Sequence, residues 1–294
     1  MFDDPPLQQL TDDLVALLTV KPLGEDRFEG SRIPAGTGHG RVFGGQVIAQ
    51  ALAAAEATAP EDRLAHSLHA YFLRMGDDDQ PIDYRVDRNL DGGSFSNRAV
   101  TASQAGRPIL TLNASFHRRE GGLSHQDAMP EVPGPEGLPT DVEERREYLH
   151  LLPEAYRKSL GSLRPIEQRT VERLHWAEPE KLPPRAHIWW RTPAPIPSDD
   201  PRIHRAVLAY ASDLAMLRTA TLPHGINWFS SKMQEASLDH AIWFHDEFRA
   251  DEWLLFVTDS TWAGRSRAYI TGRIFRRDGA LVASITQEGM LRLL

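Results

Sequence analysis

Three polar residues in the second half of this 294-residue chain stand among apolar neighbours. Asp213, in YASDL, has Ala209 and Tyr210 one helical turn before it and Met216 and Leu217 one turn after. A carboxylate so placed has its charged form disfavoured unless polar groups converge on it, which is how an aspartate becomes a base near neutral pH. Gln287 shares a strand face with Leu281, Ala283 and Ile285 by the period of two, so if buried its amide must find hydrogen bonds. Ser237, in ASLDHAIWFH, adds a hydroxyl at a strand end. A carboxylate, a hydroxyl and an amide brought together could hold a water and take its proton. Covalent routes are poorly served: there is no cysteine and no G-x-S-x-G elbow.

Taken singly, each residue has a plain structural reading: Asp213 solvated, Ser237 ending a strand, Gln287 a satisfied core amide. What singles them out is that the chain repeats itself. Val47-Ile48-Ala49 matches Val207-Leu208-Ala209 at a shift of 160, while Tyr71-Phe72 matches Trp243-Phe244 and Ile109-Leu110 matches Leu281-Val282 at a shift of 172. A repeat this long means two copies of a domain-sized unit, not a solenoid. At those shifts the first copy offers Ala53, Ala65 and Ser115. The trio is missing from it.

The elements that must position these residues follow from the pattern. LQQLTDDLVALL predicts a short N-terminal helix stopped by Pro22, and FEGSRIPAG (28–36) a first strand. The stretch from Gln46 to Ala59 lacks Gly and Pro and is apolar nearly all round, which predicts a buried helix. IDYRVDRNL, SFSNRAVTAS and ILTLNASFHR follow as strands split by DGG and AGRP turns. Residues 119–186 open Pro-, Gly- and acid-rich, as a mobile linker would, and VEERREYLHLLPEAYRKSL reads as a surface helix after it. HIWWRT, EWLLFVTDST, SRAYITGRIFRR and ALVASITQEGML are the strands of the second copy, with a hairpin signal at Asp278-Gly279. The expected organisation is an N-terminal unit over 1–118, a connecting segment over 119–186 and a second unit over 187–294.

Hydrophobic residues at 41% and charged residues at 25% describe an ordinary globular protein. A net charge of −8 argues against nucleic acid as a partner, since binding phosphates needs a concentrated basic surface. The acidic N-terminus lacks the basic-then-apolar order of a secretion signal, and no apolar run approaches the roughly 18 residues that span a bilayer. The expectation is a cytoplasmic protein with no stable membrane insertion.

Four blocks in order, GRVFGGQVIAQAL, LHAYFLRMGD, LDHAIWFH and LVASITQEGM, resemble the type II acyl-CoA thioesterases, the TesB-like family. The similarity covers roughly residues 25–118 and 187–294. It implies an α+β fold, the double hotdog: two antiparallel sheets, each wrapped around a long central helix, fused in one chain. It also implies an acyl-CoA substrate, hydrolysis of fatty acyl-CoA to fatty acid and CoA without metal or cofactor, and assembly into homodimers or homotetramers. The family's catalytic aspartate on the second helix, hydroxyl on the following strand and glutamine near the C-terminus fall on Asp213, Ser237 and Gln287. Ser237 stands where many relatives carry threonine, keeping the hydroxyl and losing a methyl. On this reading a water held by the three attacks the thioester carbonyl, and backbone N–H groups at a helix N-terminus steady the oxyanion.

Other signals carry less. GTGHGRVFGG does not match G-x-G-x-x-G in register, and its glycines read as allowing a close approach into the first helix. His66 with His69, and His240 with His245, lack the spacing for a shared metal and should point to opposite strand faces. His240 beside Asp239 reads as structural, because strand neighbours diverge. Trp189, Trp190, Trp243 and Trp253 read as core or interface. Arg85, Arg88 and Arg98 are either a cluster for a small anionic ligand or solvated strand-face residues. The rival functions are a hotdog enoyl-CoA hydratase or dehydratase, which needs a histidine with a carboxylate, and a non-catalytic acyl-CoA binding or sensing protein.

Overall fold

The computed structural model describes residues 4–32, 40–151, 154–172, 180–226 and 233–294. Helix α1 (Leu7–Leu18) buries Thr11, Leu14 and Leu18 and ends at Thr19. The hairpin β1 (Val20–Gly24) and β2 (Arg27–Gly30) follows, turning through Glu25 and Asp26 in the left-handed region. Pro22, expected to stop the helix, lies instead in β1, an end strand of the sheet where a missing N–H is tolerated. The strand expected over 28–36 runs only to Gly30, and residues 33–39 lie outside the described residues.

Helix α2 (Gly44–Glu56) is buried on almost every face, with Ile48, Ala49, Ala51, Leu52, Ala54 and Ala55 fully enclosed. Its small side chains let the sheet close tightly round it. The strands β3 (Arg63–Phe72), β4 (Ile82–Asp91), β5 (Phe95–Gln104) and β6 (Arg107–Arg118) make the first half of that sheet. After it come α3 (Asp141–Tyr148), started by a Thr140/Glu143 capping box, and α4 (Glu154–Gly161). Then β7 (Glu167–Thr170) pairs with β8 (Arg185–Arg191) at the far edge of the sheet. The irregular segment 119–134 is laid against the second half of the molecule. Met129 and Val132 pack on Trp189, Leu255, Val257 and Phe275, and Trp189 Nε1 donates to Pro133 O at 2.8 Å.

The second half contains α5 (Pro201–Ser212), α6 (Met216–Thr221), β9 (Met233–Ser237), β10 (Asp239–Phe244), β11 (Leu254–Gly264), β12 (Arg267–Arg276) and β13 (Leu281–Leu293). Every strand pairing is antiparallel, in the order β1-β2-β4-β5-β6-β3-β10-β13-β12-β11-β8-β7, with β9 on β13. The two expected sheets are therefore continuous, joined where β3 and β10 pair through Leu68 and Ile242. The fold is the double hotdog, and α2 and α5 pack on one another inside it.

The halves differ at two breaks. The counterpart of α2 is interrupted, α5 ending at Ser212 and α6 starting at Met216, with Asp213 as the C-cap. The counterpart of β3 is split into β9 and β10 at Leu238. Gln287 lies in β13 between its ladder with β10 and its ladder with β9. No described helix is long and apolar enough to cross a membrane.

Candidate active site

The breaks bring the three residues together. Ser237 Oγ donates to Asp213 Oδ1 at 3.3 Å, and Gln287 Nε2 donates to the same oxygen at 3.1 Å and to Ser237 Oγ at 2.6 Å. Gln287 is 1% exposed, while Asp213 and Ser237 are only half-buried. The amide thus forms the back of the site, and the carboxylate and hydroxyl form its accessible edge. Asp213 was expected within a helix; it is instead the C-cap of α5, still with helical backbone angles, and its side chain reaches Ser237 and Gln287 on the sheet. Burial pushes its carboxyl up to about 6, against the pull of hydrogen bonds from Gln287, Ser237 and the Gly45 N–H and of the Arg41 charge.

The Gly45 contact shows that the first half contributes. The N-terminus of α2, with its free N–H groups and positive dipole end, points at the Asp213 carboxylate. A Cβ on Gly44 would lie 2.6 Å from Asp213 Oδ2 and 3.0 Å from the Phe72 ring. One on Gly45 would lie 2.5 Å from the Tyr210 carbonyl oxygen. Both glycines are needed for this approach, and the edge-on contact of Phe43 with Tyr210 (centroids 5.0 Å apart) braces it.

Two more residues bear on the site, one read from the sequence as structural and one not singled out by it. His240 is fully buried, its Nδ1 3.1 Å from Gln287 Oε1 and its Nε2 2.9 Å from Ser212 Oγ. Burial pulls its imidazole down to about 4, so it is neutral. A histidine does therefore reach the site, from behind, through Gln287; its ring nitrogens face that amide and Ser212. Alternation with Ile242 and Phe244 would have placed it inside, where a histidine must be bonded. Glu235, two residues before Ser237 on β9, is the other. Burial pushes it up to about 7, with Arg41 opposing and Asp213 adding to the rise.

The remaining candidates do not converge here. Arg98 is fully buried and bonds Thr58, the Leu90 carbonyl and Asp91, whereas Arg88 pairs with Asp26 and Arg85 with Asp87 at the surface. They form no anion cluster. A bulge between Ala65 and Ser67 puts both His66 and His69 on the outer face of the sheet, contrary to simple alternation. They still diverge, His66 to Ser115 at 2.9 Å and His69 edge-on to Trp243. His245 bonds Ser284 beyond the end of β10. Trp190 is core, and Trp189 packs under segment 119–134. Trp253 carries Arg191 over its ring at 4.4 Å. Asp77, Asp78 and Asp79 are the described carboxylates close enough together to share a cation, but Asp77 is already taken by Asp79 N–H and Gln80.

A continuous antiparallel sheet closed round two helices, with a carboxylate, a hydroxyl and an amide beside a helix N-terminus, defines a double-hotdog protein with one composite polar site. Residues 162–290 match the acyl-CoA thioesterase family, and residues 32–117 match the acyl-CoA thioesterase N-terminal domain. Acyl-coenzyme A thioesterase 8 of Homo sapiens is 39% identical over 99% of this chain and 92% of its own length. Acyl-CoA thioesterase 2 of Haemophilus influenzae is 37% identical over 97% of this chain and 99% of its own. The crystal structure of the acyl-CoA thioesterase II TesB2 from Mycobacterium marinum superposes with a TM-score of 0.77 at 39% identity, covering 95% of this chain and 98% of that one. The chain belongs to the acyl-CoA thioesterase family, a family of thioester hydrolases.

Proposed function

We propose that this protein hydrolyses fatty acyl-CoA to fatty acid and CoA by direct attack of water, with Asp213 as general base and Ser237 and Gln287 holding the nucleophile. The observation that carries this is the convergence of Ser237 Oγ and Gln287 Nε2 on Asp213 Oδ1. Water bound at that edge gives its proton to Asp213 as its oxygen bonds to the thioester carbon. The carbonyl oxygen becomes an oxyanion, for which the Gly44 N–H at the start of α2, without an intrahelical acceptor, is the available donor. Collapse of this tetrahedral intermediate breaks the carbon–sulfur bond, and the CoA thiolate takes up the proton. The buried, hydrogen-bonded Gln287 and neutral His240 support a preorganised site in which little must move. On this reading the second unit (187–294) carries the trio, the first (1–118) supplies the helix N-terminus, and 119–186 connects them. Self-association into a homodimer or homotetramer is part of the proposal; exposed Tyr71, Leu73 and Met75, close together in the chain, are consistent with a buried face.

The experiment is release of CoA thiol from a ladder of acyl-CoAs, wild type beside Asp213→Asn. Without cysteine, the protein gives the thiol reagent no background. Turnover lost in the variant supports the proposal, and near-native turnover sinks it. Tight acyl-CoA binding without turnover in the wild type would favour the non-catalytic reading.

A further inference from the structure

Glu235 is a carboxyl beside the site that the proposed hydrolysis leaves without a task. It lies two residues before Ser237 on β9, so the two share the inner face of that strand about 7 Å apart. The register with β13 sets Ser237 against Gly289 and Glu235 against Leu291, and Leu291 packs on the core. The next inner pair, Met233 with Leu293, reaches the surface, where Leu293 is 66% exposed. A floor therefore runs from Ser237 past Glu235 to solvent. Leu217 of α6 walls its inner end, lying over Gly289 so closely that a Cβ there would overlap its side chain.

Glu235 is half-buried, yet its carboxyl takes part in no hydrogen bond and no ion pair among the described residues. Arg41 acts on both Glu235 and Asp213 through its charge without closing to an ion pair with either. A carboxyl that has lost part of its water with nothing in its place is short of donors. A fatty acyl chain has none to give and would strip away more water. CoA carries one close to the reacting carbon, the N–H of the first amide in its pantetheine arm. That nitrogen is four bonds from the thioester carbon, about 5 Å in an extended chain. A carboxyl about 7 Å from Ser237 is then a hydrogen bond's length away, about 3 Å. The open end of the floor suits the same arm, because the nucleotide beyond it stays in solvent while the acyl chain gains from burial.

We propose that Glu235 accepts the first amide N–H of the pantetheine arm and so fixes the direction in which CoA leaves the site, along β9 toward Met233. The identity of the arm rests on the thioesterase reading; the unpartnered carboxyl on the face of Ser237 does not. The test compares two dodecanoyl thioesters, of N-acetylcysteamine and of 2-mercaptoethyl acetate, which differ in carrying N–H or oxygen at that position. Wild type should favour the amide about 10- to 100-fold in kcat/KM, the size of a hydrogen bond to a charged group. Glu235→Leu should bring this ratio near one, through a raised KM for the amide substrate. Glu235→Gln, which keeps an acceptor, should retain part of it. A wild-type ratio near one, or a ratio unchanged in Glu235→Leu, would overturn the proposal. Calorimetric binding of the two matching dodecyl thioethers, which cannot react, tells this contact from the hydrolase reading. Tighter binding of the amide thioether, lost in Glu235→Leu, by a protein that hydrolyses neither thioester would sink the hydrolase and keep the contact. Hydrolysis of both thioesters at one rate would do the reverse.

Discussion

His240 Nδ1 lies 3.1 Å from Gln287 Oε1, and this contact decides which way the Gln287 amide faces. Nδ1 must carry the hydrogen, because the alternative turns Gln287 Oε1 toward the Asp213 carboxylate. Nε2 then accepts the single hydrogen of Ser212 Oγ, in place of the Ala209 carbonyl 2.9 Å from that hydroxyl, and the amide N–H groups are left for Asp213 and Ser237. His240→Leu keeps the volume and frees the amide. We expect kcat to fall about 10- to 100-fold with KM little changed. Stability should fall by about 1–3 kcal/mol from the unpaired Oε1. His240→Asn, which can donate from a similar position, should recover part of kcat. Equal losses for both variants would show that His240 only fills space.

The acid limb of kcat/KM should report Asp213. A general base works only when deprotonated, so the rate should fall about tenfold per pH unit below about 6, with a shallower bend above it as Glu235, pushed up to about 7 by burial beside Asp213, gives up its own proton. Ser237→Ala removes one hydrogen bond that pulls this carboxyl down, and should move the limb to higher pH while lowering the plateau. A limb near 4 in the wild type would mean that the base is an ordinary solvated carboxylate. His240, held neutral down to about 4, contributes no limb in this range.

Much of this architecture is legible in the chain because strands repeat by alternation. One shift of 172 carries Phe95–Gln104 onto Arg267–Arg276 and Ile82–Asp91 onto all but the last residue of Leu254–Gly264. The trio was legible for the same reason, as polar residues in one copy only. The breaks that assemble it were not. AYASDLAML keeps an apolar pattern on both sides of Asp213, with no Gly or Pro to mark an end, yet the helix stops at Ser212. Leu238 looks like any strand residue, but its N–H bonds Glu288 while its carbonyl accepts from Phe72 in the other repeat, which splits β9 from β10. Residues 119–134 read as linker by composition; what fixes them is Leu255, Val257 and Phe275, an outer-face apolar patch that needs a cover.

Arg98→Met should cost stability and not affinity. Arg98 bonds Thr58 through both hydroxyl and carbonyl, and also the Leu90 carbonyl and Asp91, so its loss strands buried acceptors. Because Asp91 is itself well exposed, we expect the low end of the range for a broken buried pair, about 3 kcal/mol, read by urea unfolding. KM for acyl-CoA should stay unchanged. A raised KM with native stability would restore the reading of Arg85, Arg88 and Arg98 as an anion-binding cluster.

Gly44 tests whether the site is shared between the repeats. Its φ is not in the left-handed region, so the demand for glycine comes from crowding alone. In Gly44→Ala the new methyl meets Asp213 Oδ2 and the Phe72 ring, and the carboxylate must swing away from Ser237 and Gln287. We expect kcat to fall about 100-fold, a loss of roughly 2.7 kcal/mol of transition-state stabilisation, with little change in melting temperature. Gly45→Ala presses on the Tyr210 backbone, which cannot move without α5, and should destabilise the fold by about 1–3 kcal/mol. Gly93→Ala, with nothing near the added carbon, should change neither. Near-native turnover in Gly44→Ala would mean that α2 only supports the sheet, and that the catalytic groups belong to the second repeat alone.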